Sequence, residues 1–232
     1  MRRAGLLAAL SLAAAAVDAV TISPVIVELS PARRVVSVTV TNPSDSAVSF
    51  QADVLAWSQP NGQDLLEDSD DLMVVPPIAT IAAGASQIFR ITPRTPPRQR
   101  EQAYRLILED VTPDIAGPAD SATVNIRVRH SLPVFVGAEG KPAVAVRVAQ
   151  CAAPAGKGCV RLHNDGGHYV TAKVLTIGGA AWHKEVPLAA RLLAGAWREW
   201  RFDLPANVSG PFSVKADTSA GTFDGELSTA SR

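Results

Sequence analysis

Apolar and polar side chains alternate with a period of two along most of the chain beyond its first twenty residues. Valines alternate with Ser and Thr from Val36 to Thr41, and apolar residues again occupy every second position from Val48 to Trp57. This alternation is typical of strands that bury one face. No window in this part of the chain carries an apolar stripe at the 3.6-residue period of a helix. The pattern therefore predicts an all-β protein.

Turn-forming residues divide the alternating stretches into short strands at regular spacing. In the first half, further strands are predicted at Val25 to Leu29, Gln87 to Ile91, Tyr104 to Val111 and Ala122 to His130, with an acidic loop at Asp64 to Asp71. In the second half they are predicted at Val144 to Val148, Cys159 to Asn164, His168 to Leu175, Trp197 to Phe202, Phe212 to Ala216 and Phe223 to Glu226. Short strands separated by turn signals indicate a β-sandwich in each half.

The apolar strand Leu132 to Val136 gives way to a segment from Gly137 to Pro142 that contains Gly and Pro. Such a change of composition is typical of a domain boundary. We therefore predict an N-terminal domain at residues 20–137 and a C-terminal domain at residues 138–232.

The first residues have the pattern of a secretory signal peptide. Arg2 and Arg3 precede an apolar stretch that runs from Ala4 to about Val17 and is too short to cross a bilayer as an anchor. Val17 and Ala19 place small residues before a cleavage site, which we predict to follow Ala19. Residues 1–19 are thus interpreted as a cleaved export signal, and removing 19 of the 232 residues leaves 213, enough for two domains.

Charge and cysteine content narrow the choice of partners. The chain has 22 basic and 22 acidic side chains, so its zero net charge does not favour a nucleic acid or another polyanion. Cys151 and Cys159 lie eight positions apart, and in an exported protein this spacing predicts a local disulfide. A redox or metal pair would require closer spacing or neighbouring histidines, so no metal is expected.

The sequence carries no recognisable catalytic motif. Nucleophile elbows, zinc-protease helices and phosphate-binding glycine loops are absent, and the only histidines are His130, His163, His168 and His183. The acidic run Glu67, Asp68, Asp70 and Asp71 lacks a calcium-loop pattern and is interpreted as soluble surface. We therefore expect neither an enzyme nor a cofactor nor a small-molecule substrate.

A set of short motifs, in order along both halves, identifies a family. They are Val25-Ile26-Val27, Val38 to Asn42, Pro76-Pro77 with Ile81 and Gly84, Gln87, Arg90-Ile91, Tyr104-Arg105-Leu106, Leu132 to Val136, Leu162 to Gly166 and Tyr169-Val170. Over nearly its whole length the chain resembles the periplasmic chaperones of chaperone-usher pilus assembly. The resemblance implies two immunoglobulin-like sandwiches set at an angle around a cleft. It also implies pilus subunits and an outer-membrane usher as partners, and a periplasmic location.

The resemblance gives one strand a candidate role. Ala122, Val124, Ile126 and Val128 alternate with polar or cationic residues, so one face of this strand is apolar. At a sheet edge, such a strand would complete a pilus subunit by β-augmentation, which the family uses to hold its subunits. The alternative is an ordinary strand whose apolar face lies in its own core, and the pattern alone does not separate the two.

The sequence departs from the better-known branch of the family at two positions. There an Arg on the first strand and a Lys near the end of the last strand of the first domain hold the subunit's C-terminal carboxylate. The matching positions here are Pro24 and Pro133, which is more similar to the older, divergent branch. The candidate replacement cations are Arg90, Arg105, Arg127, Arg129 and His130.

Arg105 is the preferred anchor among these cations. It shares its strand face with Ala103 and Ile107, where a guanidinium can clamp a carboxylate through two hydrogen bonds. Alternatively, Arg105 pairs with Glu109 within the protein or extends to water. Arg127 and Arg129 are more typical of a solvated face, and His130 would contribute only a pH-dependent charge.

A second class of function also fits the residues. A secreted β-sandwich adhesin or carbohydrate-binding module would use tryptophans as stacking platforms, and the chain has Trp57, Trp182, Trp197 and Trp200. Tryptophans in sandwiches are more often core or rim residues. Whether the free protein self-associates through its donor strand is left open by the sequence.

Overall fold

Strands account for nearly all regular structure in the computed structural model, which describes residues 19–96, 98–113, 126–137, 143–154, 156–179, 182–205 and 210–228. Within these ranges the one helical element is a 3₁₀ turn at Pro60–Gly62. No helix in this part of the chain is long and apolar enough to span a membrane. The all-β prediction is confirmed, while the signal-peptide prediction falls on residues 1–18 and lies outside the described residues.

Among the described residues, the first sandwich contains ten strands. They are β1 Thr21–Ser23, β2 Val27–Leu29, β3 Val36–Thr41, β4 Val48–Ser58, β5 Leu65–Asp68, β6 Leu72–Val75, β7 Ile78–Ile81, β8 Ser86–Pro93, β9 Gln102–Asp110 and β10 Arg129–Val136. One sheet has the order β1-β3-β8-β6, and the other has the order β2-β10-β9-β4-β5 with β7 also paired to β4. The inward residues of both sheets, among them Phe50, Phe89, Leu106 and Val134, form one buried core.

Seven strands of the second sandwich lie in the part of the chain that the structure describes. They are β11 Val146–Gln150, β12 Lys157–Asn164, β13 Val170–Gly179, β14 Trp182–Leu192, β15 Trp197–Asp203, β16 Phe212–Thr218 and β17 Gly221–Leu227. The sheets have the orders β11-β12-β15 and β14-β13-β16-β17. On β16 every second residue is buried, with Phe212, Val214 and Ala216 in a second core. The predicted boundary near residue 138 lies in the undescribed range 138–142 and stays a prediction.

A buried asparagine closes a strand in each sandwich. Asn42, which follows β3, donates to the carbonyl oxygens of Ser46, Ile81 and Ala82. Asn164, at the end of β12, donates in the same way to the carbonyls of His168, Leu192 and Leu193. A buried amide must be satisfied, and here each one ties three loop or strand-end carbonyls together. These two motif residues therefore have a structural role.

The predicted disulfide is present. Cys151, directly after β11, is bonded to Cys159, near the start of β12, with a Cα–Cα distance of 5.1 Å. Glu199 is the one other described residue with a metal-ligand atom near their sulfurs. Sulfurs joined in a disulfide are not thiolates, and the thiolate is the form that binds metal. This grouping is therefore not a metal centre.

The sequence did not predict five of the strands, all of which lie at sheet edges: β1, β5, β6, β7 and β14. The segment predicted as the acidic loop Asp64 to Asp71 contains β5, which pairs with β4 through Leu65↔Ser58 and Leu66↔Trp57. All four residues of β5 are exposed, so no alternation marks the strand. β14 lies at the edge of its sheet and contains Pro187, which edge strands tolerate because they need fewer ladder hydrogen bonds.

Direct contacts join the two sandwiches. The Phe135 and Tyr169 rings stack with centroids 3.8 Å apart, and Trp57 and Leu193 belong to the same buried cluster. Gln59 donates to the Arg191 carbonyl at 2.9 Å and accepts from the Leu193 amide at 3.0 Å. The sheet that contains β9 and β10 therefore packs against the second sandwich, close to the candidate residues.

Candidate functional site

The even-numbered face of β10 passes from the core to solvent. Leu132, Val134 and Val136 are buried in the first core. In the segment that precedes the strand, Ile126 is 80% exposed and Val128 is 47% exposed. Residues 126–128 carry no strand assignment, so the predicted strand Ala122 to His130 is regular only from Arg129 onward. Ala122 and Val124 lie outside the described residues.

The backbone of this region has one paired and one open edge. The Asp110 amide donates to the Val128 carbonyl at 3.1 Å, which extends the β9–β10 register beyond the end of β10. Alternate residues of a strand point their backbone groups to opposite edges, so those of Arg129 and Ser131 point away from β9. On that side β2 pairs only with residues 134–136 of β10, so no described strand covers the edge before them.

An apolar groove lies beside the open edge. It has a volume of about 320 Å³ and is lined by Val20, Ile22 and Val25 from the start of the chain and by His130, Ser131 and Leu132 from β10. Val25 is 66% exposed. An open strand edge beside exposed apolar side chains is a template for pairing with another strand. This part of the sandwich can therefore accept an added strand and cover its apolar face.

Arg105 lies on the opposite face of the same sheet, toward the second sandwich. Its guanidinium carbon is 3.8 Å from the ring centroid of Trp57, a cation–π contact, and the side chain is half-buried. No carboxylate of the described residues forms an ion pair with it. Burial, followed by the nearby Arg191, lowers the pKa of Arg105 below its usual value. The alternative pairing with Glu109 is not present, because Glu109 lies 4.0 Å from Arg129 instead.

Asp64 is the acid of this cleft, and one of its oxygens, Oδ1, already has three donors. Trp57 donates to it at 2.8 Å, Gln59 at 2.9 Å and Arg198 at 2.5 Å. Burial raises the pKa of Asp64, but these donors outweigh burial and hold the pKa below its usual range. Asp64 is therefore a fixed anion that neutralises Arg198. Among the described residues, no carboxylate forms an ion pair with Arg105 or Arg191.

The other candidate cations lie elsewhere. Arg90 is exposed on β8, opposite Ser37 and Val75, in the sheet that faces away from the second sandwich. His130 lies on the core side of β10, with its ring centroid 6.2 Å from that of Phe50. Arg129 shares the face of Arg105 but is bound to Glu109 and largely exposed. Unlike Arg90, Arg129 and His130, Arg105 therefore lies in the interdomain cleft.

Several residues of the cleft were not foreseen from the sequence. Asp64, Gln59, Arg191 and Arg198 come from distant segments, and no local motif marks them. Glu101 is a further case: it binds the Tyr169 amide at 2.7 Å and the His168 ring at 2.5 Å across the domain boundary. The one signal that the sequence offers is an acidic residue directly after a proline-rich loop. Its burial can be recognised only in the structure.

The four tryptophan side chains pack against other residues of the protein. Trp57 is buried between the sandwiches, and Trp182 packs edge-on against Phe212 in the second core. Trp197 lies under the Arg161 guanidinium, and Trp200 packs against the second core. None of the four presents an open ring for a sugar. The structure gives no support to the carbohydrate-binding alternative.

The first of the two packed sandwiches has an open strand edge beside exposed apolar side chains. A family model described as pili and flagellar-assembly chaperone, PapD N-terminal domain, matches residues 19–140. The chain therefore belongs to this family of assembly chaperones, as the sequence motifs indicated. Membership in a chaperone family agrees with the prediction that the protein is not an enzyme.

Solved structures with the same fold span both sandwiches. A chain of the CsuC–CsuE chaperone–tip adhesion subunit complex from archaic chaperone-usher Csu pili of Acinetobacter baumannii is 19% identical, with a TM-score of 0.65 over 92% of this chain and 100% of that chain. The E. coli chaperone DraB is 23% identical, with a TM-score of 0.60 over 90% of this chain and 98% of that chain.

A chain of the SafA pilin–SafB chaperone complex of Salmonella enterica is 17% identical, with a TM-score of 0.61 over 92% of this chain and 99% of that chain. No curated protein sequence matches the chain. The prediction of two immunoglobulin-like sandwiches is confirmed by these folds.

Proposed function

We propose that the protein is a periplasmic chaperone that holds pilus subunits by donor-strand complementation and delivers them to an outer-membrane usher. The observation that carries this proposal is the even-numbered apolar face that leaves the core of β10 and continues as exposed Ile126 and Val128. An aggregation-prone edge of this kind is normally shielded, so its retention indicates use. The donor segment is Ala122, Val124, Ile126 and Val128.

The backbone supports the same mechanism. A subunit strand that pairs along Arg129 and Ser131 would take main-chain hydrogen bonds from the open edge, while the alternate side chains fill the subunit's groove. The CsuC–CsuE and SafA–SafB structures are complexes of a chaperone with a subunit, which supports pilus subunits as the partners. Export by a cleaved signal at residues 1–19 would place the protein where such subunits emerge.

We propose that Arg105 binds the terminal carboxylate of the subunit. It stands directly opposite Pro133 in the β9–β10 ladder, and Pro133 is the position where the better-known branch has its lysine. Directly opposed residues have Cβ atoms about 5 Å apart, so a cation at 105 reaches the same place from the neighbouring strand. The replacement of both usual cations by Pro24 and Pro133 supports assignment to the older, archaic branch.

The donor segment is tested by Ile126→Asp. A carboxylate on this side chain would have to enter the apolar groove of the subunit, so the complex should be lost while the free protein keeps its fold. Ile78→Asp is the matched control, because Ile78 is also an exposed isoleucine of the first sandwich, at 58%. Co-purification of the subunit from the periplasm is the measurement, with circular dichroism of each free variant.

The donor assignment is overturned if Ile126→Asp retains the subunit as well as Ile78→Asp does. It is also overturned at this residue if the variant is unfolded, because Ile126 would then belong to the protein's own core. Size-exclusion chromatography of the free wild type and of both free variants measures their oligomeric state. It shows whether the same segment mediates self-association.

The anchor is tested by Arg105→Ala against subunits that end in a free carboxylate or in an amide. Loss of a charge-assisted bidentate bond of about 1.5 to 3 kcal/mol should weaken binding of the free-acid subunit by one to two orders of magnitude. Arg105→Lys should restore only part of this affinity, because an ammonium lacks the planar fork. If Arg105→Ala distinguishes the two subunits as strongly as wild type, another cation is the anchor.

A further inference from the structure

Three arginines lie around Asp64 in the cleft that contains Arg105. Arg191 and Arg198 of the second sandwich are close enough to Arg105 for their charges to lower its pKa, and Asp64 is bound to Arg198. Like charges in a partly buried site repel each other more strongly than in water, since the effective dielectric constant is lower. Asp64 offsets part of this repulsion, and a further anion between the guanidinium groups would offset more of it.

A continuous chain of contacts fixes these groups relative to one another. Arg105 lies on Trp57, Trp57 donates to Asp64, and Asp64 binds Arg198. Gln59 donates both to Asp64 and to the carbonyl of Arg191, so the end of β14 is held against the first sandwich. The positions of the cations are therefore set by the docking of the two domains.

Two of the guanidinium groups have unused donors. The Nε atoms of Arg191 and Arg198 are buried and have no hydrogen-bond partner among the described residues. Buried N–H groups are nearly always satisfied, so each of these donors can take a further acceptor, and a carboxylate oxygen is one such acceptor. Arg105 lies over the Trp57 ring and donates no hydrogen bond to a described residue, so its N–H groups can also take an acceptor.

We propose that Arg191 is the second cation of the anion site, so that a carboxylate is held between one guanidinium from each sandwich. The proposal rests on the function proposed above and extends it: the subunit's terminus is bound by both domains, and the second sandwich takes part in subunit recognition. A planar carboxylate has two oxygens, and two guanidinium forks satisfy both better than one. Arg198 remains bound to Asp64 and holds the cleft in shape.

A double-mutant cycle tests the shared site. Wild type, Arg105→Ala, Arg191→Ala and the double variant are titrated with the co-purified subunit, prepared with a free C-terminal carboxylate and with a C-terminal amide. Arg191→Ala should weaken binding of the acid form about tenfold and leave the amide form unchanged. The double variant should lose less than the product of the two single losses, because both arginines bind one carboxylate.

Arg147→Ala is the control, because Arg147 is an exposed arginine of the second sandwich that pairs with Asp165. It should change neither affinity. Arg191→Lys should recover part of the loss, which identifies the charge as the active feature. The amide subunit also detects a purely structural effect, since loosened domains would weaken both subunit forms equally.

The outcomes separate the two proposals. If Arg105→Ala loses the carboxylate preference and Arg191→Ala keeps it, the anchor lies in the first sandwich alone and the present inference is wrong. If Arg191→Ala weakens both forms equally, its role is structural and the inference is also wrong. If wild type binds no subunit, or binds the acid and amide forms equally, the proposed function or its anchor fails before Arg191 is at issue.

Discussion

At the scale of single residues, Glu101 shows how a buried charge is used to join two domains. Its carboxylate is only 6% exposed and accepts from the Tyr169 amide while binding the His168 ring. Burial raises the pKa of Glu101 above its ordinary value, although His168 and the Tyr169 amide both oppose this shift. The charged form is thus tolerated because of its partners, at some cost in stability.

The raised pKa predicts a pH dependence with a definite sign. The folded state holds the Glu101 proton more tightly than the unfolded state, so its contribution is fully present below about pH 4.3 and is lost as pH rises through the raised value. Glu101→Gln keeps an acceptor for Tyr169 and removes the titration. The unfolding free energy of wild type relative to Glu101→Gln should therefore fall as pH rises above about 4.3, as measured by urea unfolding.

Glu101→Ala serves as the comparison for this series. It removes the acceptor as well as the charge, so the Tyr169 amide loses its partner and the protein should be less stable by about 1 to 3 kcal/mol at every pH. A wild-type stability that instead rises relative to Glu101→Gln over the same pH range would mean that the His168 contact dominates over burial.

At the scale of elements, β10 combines two environments in one alternating pattern. Its later residues are core, and the segment that precedes it presents the same face to solvent. Apolar residues occupy the even-numbered positions in both parts, and this period of two reports that one face is apolar and not what covers it. The pattern therefore predicted the strand, while its exposed part could be recognised only in the folded sheet.

The 3₁₀ turn Pro60–Gly62 is a second element with a role between domains. Gly62 has a φ of +74°, and a Cβ placed on it would lie 2.8 Å from Cζ3 of Trp197 on β15. A residue without a Cβ is required both by the left-handed backbone and by this contact. Pro60-Asn61-Gly62 consists of residues typical of turns, but no local signal identifies the tryptophan of the other domain.

We predict that Gly62→Ala destabilises the protein by about 2 to 4 kcal/mol, from left-handed strain and from the clash with Trp197. The matched control is Gly84→Ala, since Gly84 has a φ of +68° with nothing within 4 Å of its Cβ position. This control should cost only about 1 kcal/mol. Urea unfolding followed by tryptophan fluorescence measures both, and equal losses would show that Trp197 moves aside freely.

At the scale of the whole molecule, the two sandwiches form one functional surface. The open edge of β10 belongs to the first sandwich alone, whereas the cationic cleft needs Arg105 from the first and Arg191 from the second. If both sites are used together, subunit binding and domain docking are thermodynamically coupled. Variants at the interface, such as Gly62→Ala, would then reduce subunit affinity without touching the subunit.

The sequence by itself determined the all-β class, most strands, the disulfide and the family, because alternation, turn residues, cysteine spacing and short motifs are local signals. It also placed Arg105 on an apolar strand face, and the structure retains that residue as the anchor candidate. Edge strand β5 escaped notice because its four residues are all exposed, and β14 was missed although its residues alternate between partly buried and exposed. Only the tertiary structure decided which part of the apolar face of β10 is left uncovered. It alone joined Asp64, Arg191 and Arg198 to Arg105, because burial and charge proximity depend here on residues 41 to 93 positions away in the sequence.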